Sequence, residues 1–383
     1  MKLNKKISAF IATLALTAFG AFSMAGTANA AGESAAVDFK LDPRSGTFFK
    51  QAYRPGRLSI ETRIETAAPT VLPMKNANLS LPASGSLTFN PGKQKVCADT
   101  QIGPPPTNVS ITVPEAIDRC PDSIIGNGTA KFALAQSTAL PRDGAIVLFN
   151  GGKQASGPLK GQPRVKLYAY SYDTGVGLYA EAALAKDGSL DFAIPQLTAD
   201  SSVTSINLNL PGVVTPFFVA SQDLTVNLPA GQNSNYVQAK CSTGSYPFSG
   251  EFLLGTRDTL GQPTSPTTTL NASTSYNCVG AAGKGRISRV AVKGPARVRK
   301  GKAVVYRVSI TNNGTANASN VRLRATGRGV KLNAPVGRVN PGQTRTVRLR
   351  VRFNRPGKVR AQFKAVSSNA GSKTTRKVVR VRR

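Results

Sequence analysis

The stretch Thr346-Val347-Arg348-Leu349-Arg350-Val351-Arg352-Phe353 decides how this chain folds. Four apolar side chains alternate with three arginines. A period of two is the signature of a β-strand, because successive side chains point to opposite faces of a sheet. Val347, Leu349, Val351 and Phe353 therefore face a core, and Arg348, Arg350 and Arg352 face away from it. Working outward, Val304-Val305-Tyr306-Arg307-Val308-Ser309-Ile310 and Val321-Arg322-Leu323-Arg324 read the same way. Val359 to Ala365 and Val378 to Arg382 continue the set. Turns such as Asn312-Asn313-Gly314 separate the runs, at the spacing of a small β-sandwich.

The alternation places a second set of cations outward with the first. Arg322 and Arg324 share an outward face on their strand, and Arg380 and Arg382 join them near the end. Tyr306, Phe353 and Phe363 sit at inward positions and read as core, not as stacking platforms for bases. All 18 acidic residues of the chain lie before Lys284, whereas 28 of its 50 basic residues lie after Gly283. Without the three lysines near the start, the preceding part carries 19 basic residues against those 18 acids and is near neutral. Such a shift in composition marks a domain border. Gly280-Ala281-Ala282-Gly283-Lys284-Gly285 reads as a small-residue linker at that border. The expected basic domain spans 284–383.

Within it, Thr311-Asn312-Asn313-Gly314-Thr315-Ala316-Asn317-Ala318-Ser319-Asn320-Val321 and the turn Val339-Asn340-Pro341-Gly342-Gln343-Thr344 resemble bacterial cell-surface Ig-like modules. The family is CARDB, a cell-adhesion-related domain, and the resemblance covers Val298 to Arg382. It implies an Ig-like β-sandwich with adhesive or spacer roles and no catalytic residues to carry over. This sequence departs from the family in its extreme basicity.

The region 31–283 also reads as β, in one large unit or two smaller ones. Leu58-Ser59-Ile60-Glu61-Thr62-Arg63-Ile64-Glu65 alternates, with its even positions toward a core. Ser205 to Leu210 and Leu224 to Leu228 repeat the period and stop at Pro211 and Pro229, which cannot continue a central ladder. Ala180 to Ile194, with Lys186-Asp187-Gly188-Ser189 in the middle, reads as a hairpin. No helical stripe is evident after residue 30. Two stretches are similar to a group of uncharacterised exported β-proteins of high-GC Gram-positive bacteria. One is Cys120-Pro121-Asp122-Ser123-Ile124-Ile125-Gly126-Asn127-Gly128-Thr129-Ala130. The other is the pair Cys241 and Cys278 flanking Phe248-Ser249-Gly250-Glu251-Phe252.

The first 30 residues read as a signal peptide. Lys2, Lys5 and Lys6 precede an apolar run from Ile7 to Phe22, and Ala28-Asn29-Ala30 offers a small-residue cleavage site. No later run of about 20 apolar residues follows, so no transmembrane anchor is expected. In an exported chain the four cysteines Cys97, Cys120, Cys241 and Cys278 read as disulfides. Three pairings are open, and clustering along the chain favours Cys97–Cys120 with Cys241–Cys278. No C-x-x-C spacing suggests a metal.

The chain has no histidine, which excludes Ser-His and Cys-His nucleophiles and imidazole metal ligands. Glu61 with Glu65 and Asp187 with Asp191 are paired carboxylates of the kind hydrolase chemistry would need, and both pairs read as solvated strand or turn acids. No enzyme activity and no cofactor are expected. Asn-x-Ser/Thr sequons at Asn78, Asn108, Asn127, Asn271, Asn313 and Asn317 read as turn-forming asparagines.

The functional expectation is a secreted, wall-associated binding or adhesion protein. Its seven candidate residues, Arg322, Arg324, Arg348, Arg350, Arg352, Arg380 and Arg382, would contact teichoic acid or another anionic wall polymer, since guanidinium pairs phosphate and carboxylate bidentately. No pattern for sequence-specific nucleic-acid reading is present. The rival expectation is a structural extracellular spacer without a ligand. No protein partner can be named.

Overall fold

The computed structural model describes residues 32–82, 85–92, 94–102, 111–134, 137–139, 141–194, 202–232, 235–257 and 263–383. The expected signal peptide and Asn108 lie outside the described residues.

Residues 33–281 build a β-sandwich of two unequal layers. The larger layer has nine strands: β1 (Glu33–Pro43), β3 (Arg54–Thr66), β5 (Leu87–Phe89), β6 (Ile124–Ala133), β7 (Pro141–Lys153), β8 (Pro163–Ser171), β9 (Val176–Ala183), β11 (Ser202–Leu210) and β14 (Val237–Ala239). Their order is β5-β14-β3-β11-β6-β7-β8-β9, with β1 also on β3. The smaller layer runs β10 (Ser189–Ala193), β4 (Met74–Ser80), β15 (Ser245–Arg257), β16 (Pro263–Asn277). Leu58, Ile60, Thr62 and Ile64 of β3 are buried, as the alternation requires, and pack with Phe192, Phe248, Phe252 and Leu270 of the other layer. On the outward side Arg63 lies 3.4 Å from Glu61 and 3.9 Å from Glu65. Those two acids thus serve exposed ion pairs, each worth well under about 1 kcal/mol.

The period of two breaks down at β7, for a physical reason. Gly144 to Gly152 is buried without interruption. Ile146 and Leu148 face the main core, while Ala145, Val147 and Phe149 face a second core on the outside of the same layer. A strand covered on both faces loses its polar positions and reads as a continuous apolar run. The cover comes from the excursion between β5 and β6 and from the hairpin β12 (Thr215–Val219) with β13 (Leu224–Leu228). The region is therefore one sandwich with two cores back to back on a shared sheet.

The excursion holds a short helix, α1 (Val113–Arg119), that the strand periodicities did not suggest. Its signal is local. Thr112 caps the Glu115 amide while the Glu115 carboxylate accepts from the Thr112 amide, a capping box, with Pro114 in the first turn. The disulfide Cys97–Cys120 ties this excursion together, with 5.4 Å between the Cα atoms.

Polar contacts fix the same excursion to the sheet. Lys166, fully buried on β8, places its Nζ 2.6 Å from Asp99, and Arg164 lies 3.0 Å from Asp99 and 3.1 Å from Glu181. Burial pushes the Lys166 amine below its usual value. Burial alone would raise the Asp99 carboxyl, but the hydrogen bonds and charges of Lys166 and Arg164 outweigh it and hold it below its ordinary 3.8. A depressed carboxyl stabilises the fold above its unfolded value, and that contribution is lost as pH falls through the folded value. Asp99→Asn leaves Lys166 charged and buried with a weaker partner, and is expected to cost about 1–3 kcal/mol at neutral pH, since Asp99 itself is half exposed. Lys166→Met should cost far less. Urea titrations of both variants check this, and equal losses would reject it.

Ala180 to Ile194 is not a hairpin, contrary to the sequence expectation. β9 pairs with β8, whereas β10 pairs with β4 in the opposite layer. The Asp187-Gly188 turn is present, with the Asp187 carboxylate accepting from the Ser189 amide and hydroxyl. It turns a corner between layers because Leu178, Ala180, Leu190 and Phe192 all reach one core from both sides. Asp191 accepts from Asn76 at 2.6 Å, so it too has a structural partner.

The second disulfide, Cys241–Cys278, has its Cα atoms 5.9 Å apart. It sits at the domain border. There the expected linker forms β17 (Gly280–Ala281), parallel to β2 (Phe48–Phe49). A Cβ on Gly280 would come within 2.1 Å of the Cys241 carbonyl oxygen, and one on Gly283 within 2.2 Å of that of Thr315. Small residues stand here for close backbone approach, not for looseness.

Beyond the border a second sandwich packs three strands on five. The three are β18 (Ile287–Lys293), β20 (Ala303–Asn312) and β23 (Thr344–Arg352). The five are ordered β19 (Arg297–Arg299), β25 (Ser372–Arg382), β24 (Gly357–Val366), β21 (Ala318–Gly327), β22 (Val330–Val339). Tyr306, Val308, Leu323, Leu349, Val351, Phe353, Val359 and Phe363 form its core.

Candidate anion-binding surface

Each of the seven candidate arginines is exposed and points outward. They do not share a face. Arg348, Arg350 and Arg352 lie on the three-stranded sheet, and Arg322, Arg324, Arg380 and Arg382 on the five-stranded one. The two sheets meet through their inward sides, so the outward sides are opposite surfaces of the domain. The outward arginines form two stripes, back to back. Alternation sets which side of its own sheet a residue takes, but not which sheet a strand joins.

Register then adds cations that strand-by-strand reading did not single out. On the five-stranded sheet Arg297 stands opposite Arg380, and Arg380 opposite Lys358, a row of three cations across three strands. Arg299 stands opposite Arg382, and Arg324 opposite Lys364. Arg360, Arg376 and Lys331 occupy further outward positions of the same face. On the three-stranded sheet Lys293, Arg307 and Arg348 form one row. The signal for Lys358, Arg360 and Lys364 was present in the sequence, because they alternate with buried Val359, Ala361, Phe363 and Ala365.

Directly opposed side chains lie roughly 5 Å apart at Cβ, and like charges there destabilise. No acidic side chain occurs in residues 284–383 to relieve them. The five-stranded face is the denser of the two and presents a planar array of guanidinium and ammonium donors, suited to a repeating anion. This repulsion has a measurable consequence. Raising salt from about 0.02 to 0.5 M shortens the Debye length several-fold and should stabilise the basic domain by about 1 kcal/mol, or roughly 4–8 °C in calorimetry. A midpoint that falls with salt would mean the rows do not repel.

Among the described residues, no group of three His, Cys, Asp or Glu side chains could hold a metal ion.

The C-terminal domain is thus an Ig-like sandwich with a strongly basic outer face on each sheet. The family it is similar to is CARDB, whose model matches residues 289–374 and marks a surface-associated, adhesion-type β domain at the C-terminal end. No curated protein matches the chain. Among solved structures, red sea bream transglutaminase is 8% identical, with 91% of this chain and 31% of that one covered and a TM-score of 0.23. Dimeric latent PorU from Porphyromonas gingivalis is 12% identical, with 91% and 34% covered and a TM-score of 0.17. The chain spans about a third of the length of these two proteins, and at these TM-scores the likeness carries nothing about fold or function. The two disulfides and the CARDB match fit an extracellular protein. Among the described residues no helix is long and apolar enough to cross a membrane.

Proposed function

We propose that this chain is a secreted, non-enzymatic binding or adhesion protein of the cell surface or wall. Its basic domain holds an anionic wall polymer, such as teichoic acid, against the outer face of the five-stranded sheet. The observation that carries this reading is the row Arg297–Arg380–Lys358, with Arg324–Lys364 beside it, in a domain without a single acid. Such rows cost stability in the free protein, and a bound polyanion offsets that cost by linkage. Recognition through many cations tracks charge spacing and not base identity, which separates this role from sequence-specific nucleic-acid binding. The near-neutral sandwich is left free to face outward.

Sedimentation of the full chain with Gram-positive walls, with and without teichoic acid, tests the reading. Pelleting should require teichoic acid and weaken steeply with salt, as counterion release dictates. Absence of pelleting at low salt would favour the spacer role.

A further inference from the structure

Between the two sandwiches lies an open cleft of about 960 Å³. One wall is Lys50, Gln51, Tyr53 and Lys240 of the first domain. The other is the β20–β21 turn around Asn313 and Thr315, with the β22–β23 turn from Arg338 to Arg345. Four cations line it and no carboxylate does. Two of them, Lys50 and Lys240, come from the near-neutral domain, so the sign of this cleft is not inherited from the basic one alone. Among the described residues none of the four belongs to an ion pair, although acids elsewhere in the first domain pair with Lys95, Arg142 and Arg164.

Strand pairing and a disulfide hold the backbone next to the cleft-lining Lys50 and Lys240. β2 and β17 pair in parallel, the Cys241 amide donates to the Phe49 carbonyl at 3.0 Å, and Cys241 is disulfide-bonded to Cys278. Across the border the Asn317 amide donates to the Gln51 side chain at 2.8 Å. The Tyr53 ring is 41% exposed and held in place, its hydroxyl donating to the Gly85 carbonyl at 2.6 Å and Lys240 lying 5.2 Å from its centre. A half-exposed aromatic ring, side-chain amides and hydroxyls on both walls, and cations outside any ion pair match one ligand chemistry. A sugar ring offers C–H faces to the aromatic group and hydroxyls to the amides, and its acidic substituents pair with Lys or Arg. The volume lies at the upper end of small-ligand sites, roughly 300–1,000 Å³.

We propose that this cleft binds a short acidic oligosaccharide, as a discrete site separate from the outer basic faces. From the proposed function it borrows only the negative sign of the ligand. The test is calorimetric titration of the full chain with trigalacturonate, maltotriose and inorganic triphosphate at about 0.15 M salt, where long-range charge effects are screened within about 8 Å. Trigalacturonate should bind, and the neutral trisaccharide and the sugar-free anion should bind at least about tenfold more weakly. Lys50→Ser with Arg338→Ser removes one exposed cation from each wall and should lower trigalacturonate affinity about tenfold or more, the scale of one lost charge-assisted contact. Tyr53→Ala should act in the same direction. Arg324→Thr with Lys364→Thr, on the remote face, should change it less than about twofold while weakening wall pelleting. Equal binding of triphosphate, no binding of trigalacturonate, or indifference to the Lys50 and Arg338 changes would each overturn the site. Loss of wall pelleting with trigalacturonate binding intact would reject the wall-polymer reading and leave the cleft standing.

Discussion

Replacing Arg324, Lys358, Lys364 and Arg380 together by Thr should lower affinity for poly(glycerol phosphate) on the order of 10²–10³-fold at 50 mM salt. Each cation that meets a phosphate on a flexible polymer contributes roughly 0.7 to the slope of log affinity against log salt. Four lost contacts should therefore flatten the slope by about 3. The four side chains form two directly opposed pairs on the exposed face of the five-stranded sheet, so their removal relieves repulsion and leaves the core untouched. Thr suits a strand, and the variant should melt no lower than the parent. The matched change on the opposite sheet, Lys293, Arg307, Arg348 and Arg350 to Thr, is the control. A much smaller loss there assigns binding to one face. Equal losses would mean a diffuse field around the whole domain. No loss from either set would leave both faces as solvated surface and return the domain to a spacer role.

The second large effect concerns the border disulfide. Cys241→Ala with Cys278→Ala opens a loop of 37 residues, for which chain entropy gives about 4 kcal/mol of lost stability in a model-dependent estimate. In a domain of this size that is roughly 8–16 °C in melting temperature. The loss should extend to the junction, because Cys241 also donates to Phe49 and Gly280 follows the bridge by two residues. Removing Cys97–Cys120 opens a shorter loop of 23 residues and should cost somewhat less, about 3 kcal/mol. Its damage should stay local, as protease cleavage within the excursion that covers β7. Calorimetry with limited proteolysis separates the two. A loss under about 1 kcal/mol for the 241–278 pair would show that strand pairing alone holds the border.

Much of the fold was legible because its signals are local. Alternation in Leu58–Glu65 and Thr346–Phe353 places the same residues inward in the structure. Pro211 and Pro229 follow the ends of β11 and β13. The pairing of neighbouring cysteines is the one found. Where reading failed, a long-range partner had overruled a local pattern. Asp187-Gly188 turns the chain as such dipeptides do, yet the strands on either side pair elsewhere, with β8 and β4. The buried run in β7 records two covers at once, and only the fold says what they are. The capping box at Thr112 is a local signal as well, carried by Thr112, Pro114 and Glu115.

The all-β class, the change of charge at residue 283, and the outward side chains of strands that alternate, such as β3 and β23, were readable in the chain alone. These follow from composition and from a period of two, which a strand with one solvated face carries within itself. Long-range contacts place the seven arginines on two opposite faces, line up Arg297, Arg380 and Lys358 in one row, and bring Lys50 and Lys240 to Arg338 and Arg345 across a cleft. Sheet membership, register and domain docking depend on contacts between residues far apart in the chain, and no local period encodes them.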